Sequence, residues 1–114
     1  MPKRGEIWIM SFDPTVGAEI KKTRPSLIVQ NDIGNERSPL TIVLPLTSNL
    51  KRQNLINLVI HSPEGGLEID SVVLTNQVRA IDKQRLVKRL GKLRPETMER
   101  VDEALKISLG LIEI

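Results

Sequence analysis

The chain of 114 residues reads as mainly β with a C-terminal α-helix, arranged as a small, partly open barrel. Two observations predict this. Short apolar runs recur between clusters of Pro, Gly, Asn and Asp, the signature of short strands joined by turns. After Pro95, apolar residues fall at Met98, Val101, Leu105, Leu109 and Ile112, spacings of three, four, four and three, which is a helical stripe. The length suits a single domain with one core, spanning 1–114.

The elements follow in order. Residues 5–12 read as a first strand, in which Ile7 and Ile9 alternate with Trp8, Met10 and Phe12, so both faces are partly covered. Asp13-Pro14 breaks it, and a polar loop runs to Thr23. Pro25 opens a second strand, where a missing N–H is tolerated. Residues 33–39 read as a turn. Residues 40–46 form a third strand whose end Pro45 marks as an edge or bulge. A basic loop covers 49–54, a fourth strand 55–60, and Ser62-Pro63-Glu64-Gly65-Gly66 is a turn. A fifth strand covers 71–78, a tight turn 80–84 and a sixth strand 85–93. Pro95 suits a first helical turn, Glu96 and Glu99 favour its positive end, and Gly110 ends it. The five stripe residues are expected to pack on the open side of the curved sheet.

Composition narrows the chemistry. With no cysteine there is no disulfide framework and no thiolate metal site, and one histidine argues against zinc. No apolar signal region follows Met1 and no run reaches membrane-spanning length, so the expectation is a cytoplasmic protein. Trp8 and Phe12 are the only aromatics, too few for a row of base-stacking platforms. Trp8 lies among apolar residues and reads as core or interface, and His61, at the start of a Pro/Gly turn, as surface. The net charge is +3, with basic clusters at Lys21, Lys22 and Arg24, at Lys51 and Arg52, and through residues 79–94. Convergence of these on one face would steer a nucleic acid.

The sharpest feature is the polar stretch Gly17-Ala18-Glu19-Ile20-Lys21-Lys22-Thr23-Arg24-Pro25, which runs directly into the apolar Leu27, Ile28 and Val29. It fixes a guanidinium at the rim of a sheet, and a planar, permanently charged fork grips phosphate well. A second apolar run ends in two hydroxyls, Thr47 and Ser48. Arg and Thr at neighbouring strand ends suggest a phosphate-handling site without a metal. Taken alone, Arg24 is as consistent with a surface ion pair to Glu19 or Asp32, and Thr47 with an ordinary strand residue.

The chain resembles the MazF/PemK/Kid group of toxin endoribonucleases from toxin–antitoxin pairs. The resemblance rests on the order and spacing of Lys3-Arg4-Gly5-Glu6-Ile7-Trp8, Val16-Gly17-Ala18-Glu19, Arg24-Pro25 and Val29-Gln30-Asn31-Asp32. It continues through Pro45-Leu46-Thr47-Ser48, Asp70-Ser71-Val72-Val73-Leu74, residues 77–86 and Val101-Asp102-Glu103-Ala104-Leu105. It implies an SH3-like barrel of the CcdB/MazF type with a C-terminal helix, seen as a homodimer. It implies ribosome-independent cleavage of single-stranded RNA, and neutralisation by a MazE-like antitoxin with an acidic tail. The family's catalytic Arg and Thr match Arg24 and Thr47, and its loop Glu matches Glu19. Gln77 and Arg79 fall where members line the RNA groove, and Lys22, Ser48 and Asn76 join them as RNA contacts. Ile20-Lys21-Lys22 departs from the Gly-rich loop of many members, which bears on loop flexibility and cleavage-site preference.

RNA carries its own nucleophile, the 2′-OH. Cleavage needs a route for its proton, stabilisation of the phosphorane charge and protonation of the leaving 5′-oxygen. A histidine pair is impossible here, and no compact Asp/Glu set suggests paired metals, so no cofactor is expected. Arg24 and Thr47 would hold the phosphate, and Glu19 would serve as base. The products would be a 2′,3′-cyclic phosphate and a 5′-OH end. Two other readings use the same barrel: a gyrase poison like CcdB, and a nucleic-acid-binding module without chemistry. The former acts through a terminal Trp-Gly-Ile, whereas this chain ends Ile112-Glu113-Ile114.

Overall fold

The computed structural model describes residues 1–11, 23–51, 56 and 58–113. The elements are β1 (Glu6–Ser11), β2 (Thr23–Ile28), α1 (Asp32–Arg37), β3 (Leu40–Thr47), β4 (Leu58–Ile60), β5 (Ser71–Val73), β6 (Arg79–Asp82), β7 (Leu86–Lys92) and α2 (Pro95–Ser108). Single 3₁₀ turns lie at Glu64–Gly66 and Lys83–Arg85. All strand pairs are antiparallel, in the order β4-β5-β3-β2-β1-β7, with β6 also on β3. The sheet curls into a half-barrel with α2 packed on it, the fold class the sequence predicts.

β3 is the hinge of this arrangement. Its first half pairs with β6 (Thr41 opposite Ile81, Val43 opposite Arg79), and its last two residues pair with β5. Pro45 sits at the handover. Its carbonyl accepts from Leu74 N on that side, so the N–H it lacks would point into the gap between the two partners. The edge expected at Pro45 is therefore local, within a strand that is otherwise central.

The two faces of β1–β2–β3 bury different clusters. One face carries Ile7, Leu27, Leu44 and Leu46 against Met98 and Val101 of α2, with Ile60 and Val73 from β4 and β5. The other carries Met10, Ile28, Val43 and Ile81, with Trp8 and Leu86 packed against them. Both faces of β1 are thus covered, and Trp8 is half-buried, packed against the second cluster.

α2 is stopped locally. Gly110 has φ of +73°, its N–H bonds to Ile107 O, and Leu111 N–H bonds to Lys106 O, the paired bonds of a Schellman cap. Its buried face is shorter than the expected stripe. Met98 and Val101 are buried and Leu105 is half-buried, whereas Leu109 and Ile112 lie beyond the last turn and are exposed. Thr97 and Ala104 complete the buried face.

Three expectations are corrected. The turn at 33–39 is the helix α1, because the Asn31 side chain accepts from Gly34 N–H and caps it. Buried Asn35 then ties it to the sheet, donating to Gln30 O and accepting from the Thr41 hydroxyl. The strand expected over 71–78 stops at Val73, and Asn76 and Gln77 occupy a turn in which Gln77 N–H bonds Leu74 O. The turn expected at 80–84 is instead strand β6 followed by the 3₁₀ turn, where the Asp82 carboxylate accepts from Gln84 N–H.

Candidate active site

The basic run of the last third is not one patch. Arg89 Nε donates to Glu6 Oε2 at 2.6 Å, the Arg94 guanidinium pairs with Glu64, and Lys83 Nζ donates to Asn35 O. Glu6 also accepts from Lys3 N–H and from the Trp8 indole N–H. Burial would raise the Glu6 carboxyl, but hydrogen bonds from Trp8, Arg89 and Lys3 outweigh it and hold the group below its ordinary value. Glu64 follows the same logic: burial opposes ionisation, and donors from Arg94 and Thr97 at the start of α2 prevail. Arg4 N–H donates to Asp32, and the Arg4 guanidinium bonds Val29 O and Asp102 of α2. These cations fasten elements together.

Arg24 is different. Among the described residues it makes no ion pair, and the Asp32 partner considered from sequence is held by Arg4 and Asn35. It lies inside β2, one residue past the start, because the strand begins at Thr23 and not at Pro25. Its position follows from the register. β2 and β3 pair Ile28 with Val43, Leu27 with Leu44 and Ser26 with Pro45. The paired stretch ends there, and Arg24 and Thr47 each stand two residues beyond it on adjacent strands. On its other side Arg24 faces Met10 of β1, and Thr47 pairs with Val72 of β5.

Arg24, Thr47 and Ser48 line one cavity of about 330 Å³. Thr23, Pro25 and Leu46 complete the β2–β3 side, and Ser71 of β5 and Ile69 just before it wall the other. Thr47 Oγ1 accepts from Asn49 N–H at 3.2 Å. That bond uses a lone pair, so the hydroxyl proton stays available to donate into the cavity. A guanidinium and a hydroxyl donor thus converge with no carboxylate among the described lining residues. Ser26, one side chain inward from Arg24, has a fully buried hydroxyl without a hydrogen-bond partner.

The structure brings together three of the residues picked from sequence, Arg24, Thr47 and Ser48. Asn76, Gln77 and Arg79 do not line this cavity. Arg79 lies exposed on β6 opposite Val43, on the same sheet face as Thr47 and about 13 Å along β3 from it. Glu19 and Lys22 lie outside the described residues, as do Lys21 and Arg52. Sequence reasoning missed Ile69 and Ser71 as cavity residues, since only the β3–β5 pairing places them there. His61 is exposed as expected, and its Nδ1 faces Asp70 at 3.1 Å. Ser62 N–H and His61 hold the Asp70 carboxyl below its ordinary value. Among the described residues no three His, Asp or Glu side chains converge as metal ligands, and no helix is long and apolar enough to cross a membrane.

The chain is thus a curled antiparallel β-sheet with a terminal helix, in which Arg24, without an ion pair among the described residues, shares a cavity with the Thr47 hydroxyl. The chain belongs to the PemK-like, MazF-like toxin family of type II toxin–antitoxin systems, which it matches over residues 3–109. It is 45% identical over 112 residues to the endoribonuclease EndoA of Bacillus subtilis strain 168, covering 97% of each chain. Its fold is that of a MazE–MazF crystal structure from Deinococcus radiodurans, with a TM-score of 0.83, 24% identity and 97% of each chain covered. A mycobacterial endoribonuclease in complex with its cognate antitoxin matches with a TM-score of 0.80 and 24% identity over the whole of both chains.

Proposed function

We propose that this chain is a toxin endoribonuclease that cleaves single-stranded RNA without a metal. The observation that carries the reading is that Arg24 and Thr47, on adjacent strands, line one cavity, with the Thr47 proton not used by the bond from Asn49 N–H. The scissile phosphate sits between them. Arg24 binds its non-bridging oxygens and holds them more tightly as the phosphorane charge grows, and Thr47 donates to the same group. The 2′-oxygen attacks phosphorus, the P–O5′ bond breaks, and the 2′-OH proton leaves to a base while the 5′-oxygen is protonated. The products are a 2′,3′-cyclic phosphate and a 5′-OH end. Glu19 is the proposed base. Arg24 stays protonated at neutral pH and is not a base.

Ser48 and Lys22 extend the phosphate contacts, and Asn76, Gln77 and Arg79 read the flanking nucleotides by hydrogen bonding. Two copies of the chain form the working groove as a homodimer, and a MazE-like antitoxin with an acidic tail covers it. The relatives support this partner, since one solved relative is a toxin with its cognate antitoxin and another is a MazE–MazF assembly. The test is incubation of the purified protein with a long RNA in excess EDTA, with the cut ends mapped. Discrete cuts bearing 5′-OH ends are expected. Intact but gel-shifted RNA, or cuts that appear only with added metal, would overturn the proposal.

A further inference from the structure

We infer that Ile69 is a substrate-contacting residue, the apolar wall against which one RNA base beside the scissile phosphate packs. The inference rests on the proposed function and adds to it a determinant of which nucleotide is accepted. Ile69 lines the same cavity as Arg24 and Thr47, and its residue surface is 59% exposed. Of the other apolar side chains in the lining, Leu46 is 1% exposed and offers only floor, and Pro25 is half-buried within β2. Ile69 therefore stands up from the rim as apolar surface beside the guanidinium and the hydroxyl.

Single exposed apolar residues are ordinary on proteins. Two facts set this one apart. Its backbone is held on the C-terminal side: Ile69 O accepts from the Ser71 hydroxyl at 3.1 Å, and the carboxylate of the next residue, Asp70, accepts from Ser62 N–H at 2.8 Å. An apolar side chain on a fixed backbone needs no ordering when it meets a ligand. The chain is also poor in aromatics, with one Trp and one Phe, and Trp8 is packed against core residues and donates to Glu6. A base leaving the stack to bring its phosphate to Arg24 must cover its face on something. Among the described lining residues, Ile69 presents the most exposed apolar surface.

The test is a protein–substrate cycle under single-turnover conditions in EDTA. An oligonucleotide containing a mapped cleavage site is compared with versions lacking the base at one position on either side of the cut. Ile69→Ala is expected to lower kcat/KM on the complete oligonucleotide by about tenfold, mostly through KM. On the version lacking the base that Ile69 covers, wild type and Ile69→Ala should cleave equally, and Ile69→Leu should stay within about threefold of wild type throughout. An unchanged rate for Ile69→Ala, or the same loss on every oligonucleotide, would overturn the inference. Arg24→Ala is run alongside. If it abolishes cleavage while Ile69→Ala does nothing, only the Ile69 inference fails; if Arg24→Ala cleaves like wild type, the site itself is misassigned.

Discussion

Arg89 and Arg24 lie on the two strands that flank β1, yet their surroundings are opposite. Arg89 meets Glu6, a carboxylate that also binds Lys3 N–H and the Trp8 indole. Arg24 meets no carboxylate among the described residues and faces a cavity with a hydroxyl beside it. A paired guanidinium has its donors satisfied and fastens strands. An unpaired one keeps them for a ligand, and the fold bears the cost of holding it at a partly covered site. The same division separates Arg4 and Arg94, fixed to Asp102 and Glu64, from Arg24. Charge alone does not set Arg24 apart; the combination of no partner carboxylate among the described residues and a place in a cavity beside a hydroxyl does.

The comparison breaks if the two classes of arginine respond alike to truncation. Arg24→Ala should lower the cleavage rate by at least about 10²–10³-fold, and leave stability within about 0.5 kcal/mol, read by single-turnover kinetics and urea melts. Thr47→Val keeps the shape and removes the donor, and should lower the rate by about 10–10²-fold with the fold intact. Arg89→Ala should do the reverse. It leaves the Glu6 carboxylate short of a partner, and should cost about 1–3 kcal/mol of stability while the folded protein still cleaves within about threefold of wild type.

Acid sharpens the same contrast. Glu6 and Glu64 both titrate below the ordinary value of 4.5 in the folded chain. The unfolded chain therefore binds more protons in that range, and stability rises with pH there. Their contribution is complete above about pH 5 and is lost as pH falls through the depressed values. Melting temperature against pH should drop in that window, and Glu6→Gln should flatten the drop. The smallest effect is expected at Ser26, whose buried hydroxyl has no partner. Ser26→Ala should leave stability unchanged or raise it by up to about 1 kcal/mol.

How much of this was legible in the sequence follows from the range of the interactions. The C-terminal helix and its stop at Gly110 depend on neighbours within one turn, and they read directly. So did the pairing of an Arg with a Thr at strand ends, although their alignment did not. That alignment depends on a register fixed by Ser26, Leu27 and Ile28 against residues 43–45. The helix α1 was read as a turn because its capping Asn31 and its anchor Asn35 carry turn chemistry equally well; the contacts to Gln30 and Thr41 decide it. β6 was read as a turn because its strand character comes from β3, some forty residues away. Whether the basic run forms one cationic surface is not legible in the sequence, because Glu6 and Glu64, which pair with two of its arginines, are remote in the chain.

The central claim is that Arg24 and Thr47 act on one phosphate. Its most direct test is single-turnover cleavage by Arg24→Ala, Thr47→Val and the double variant, with folding checked for each. The account predicts that the double variant loses little beyond the Arg24→Ala loss, since both groups serve the same charge. Wild-type rates in either single variant, or losses that multiply fully in the double, would contradict it.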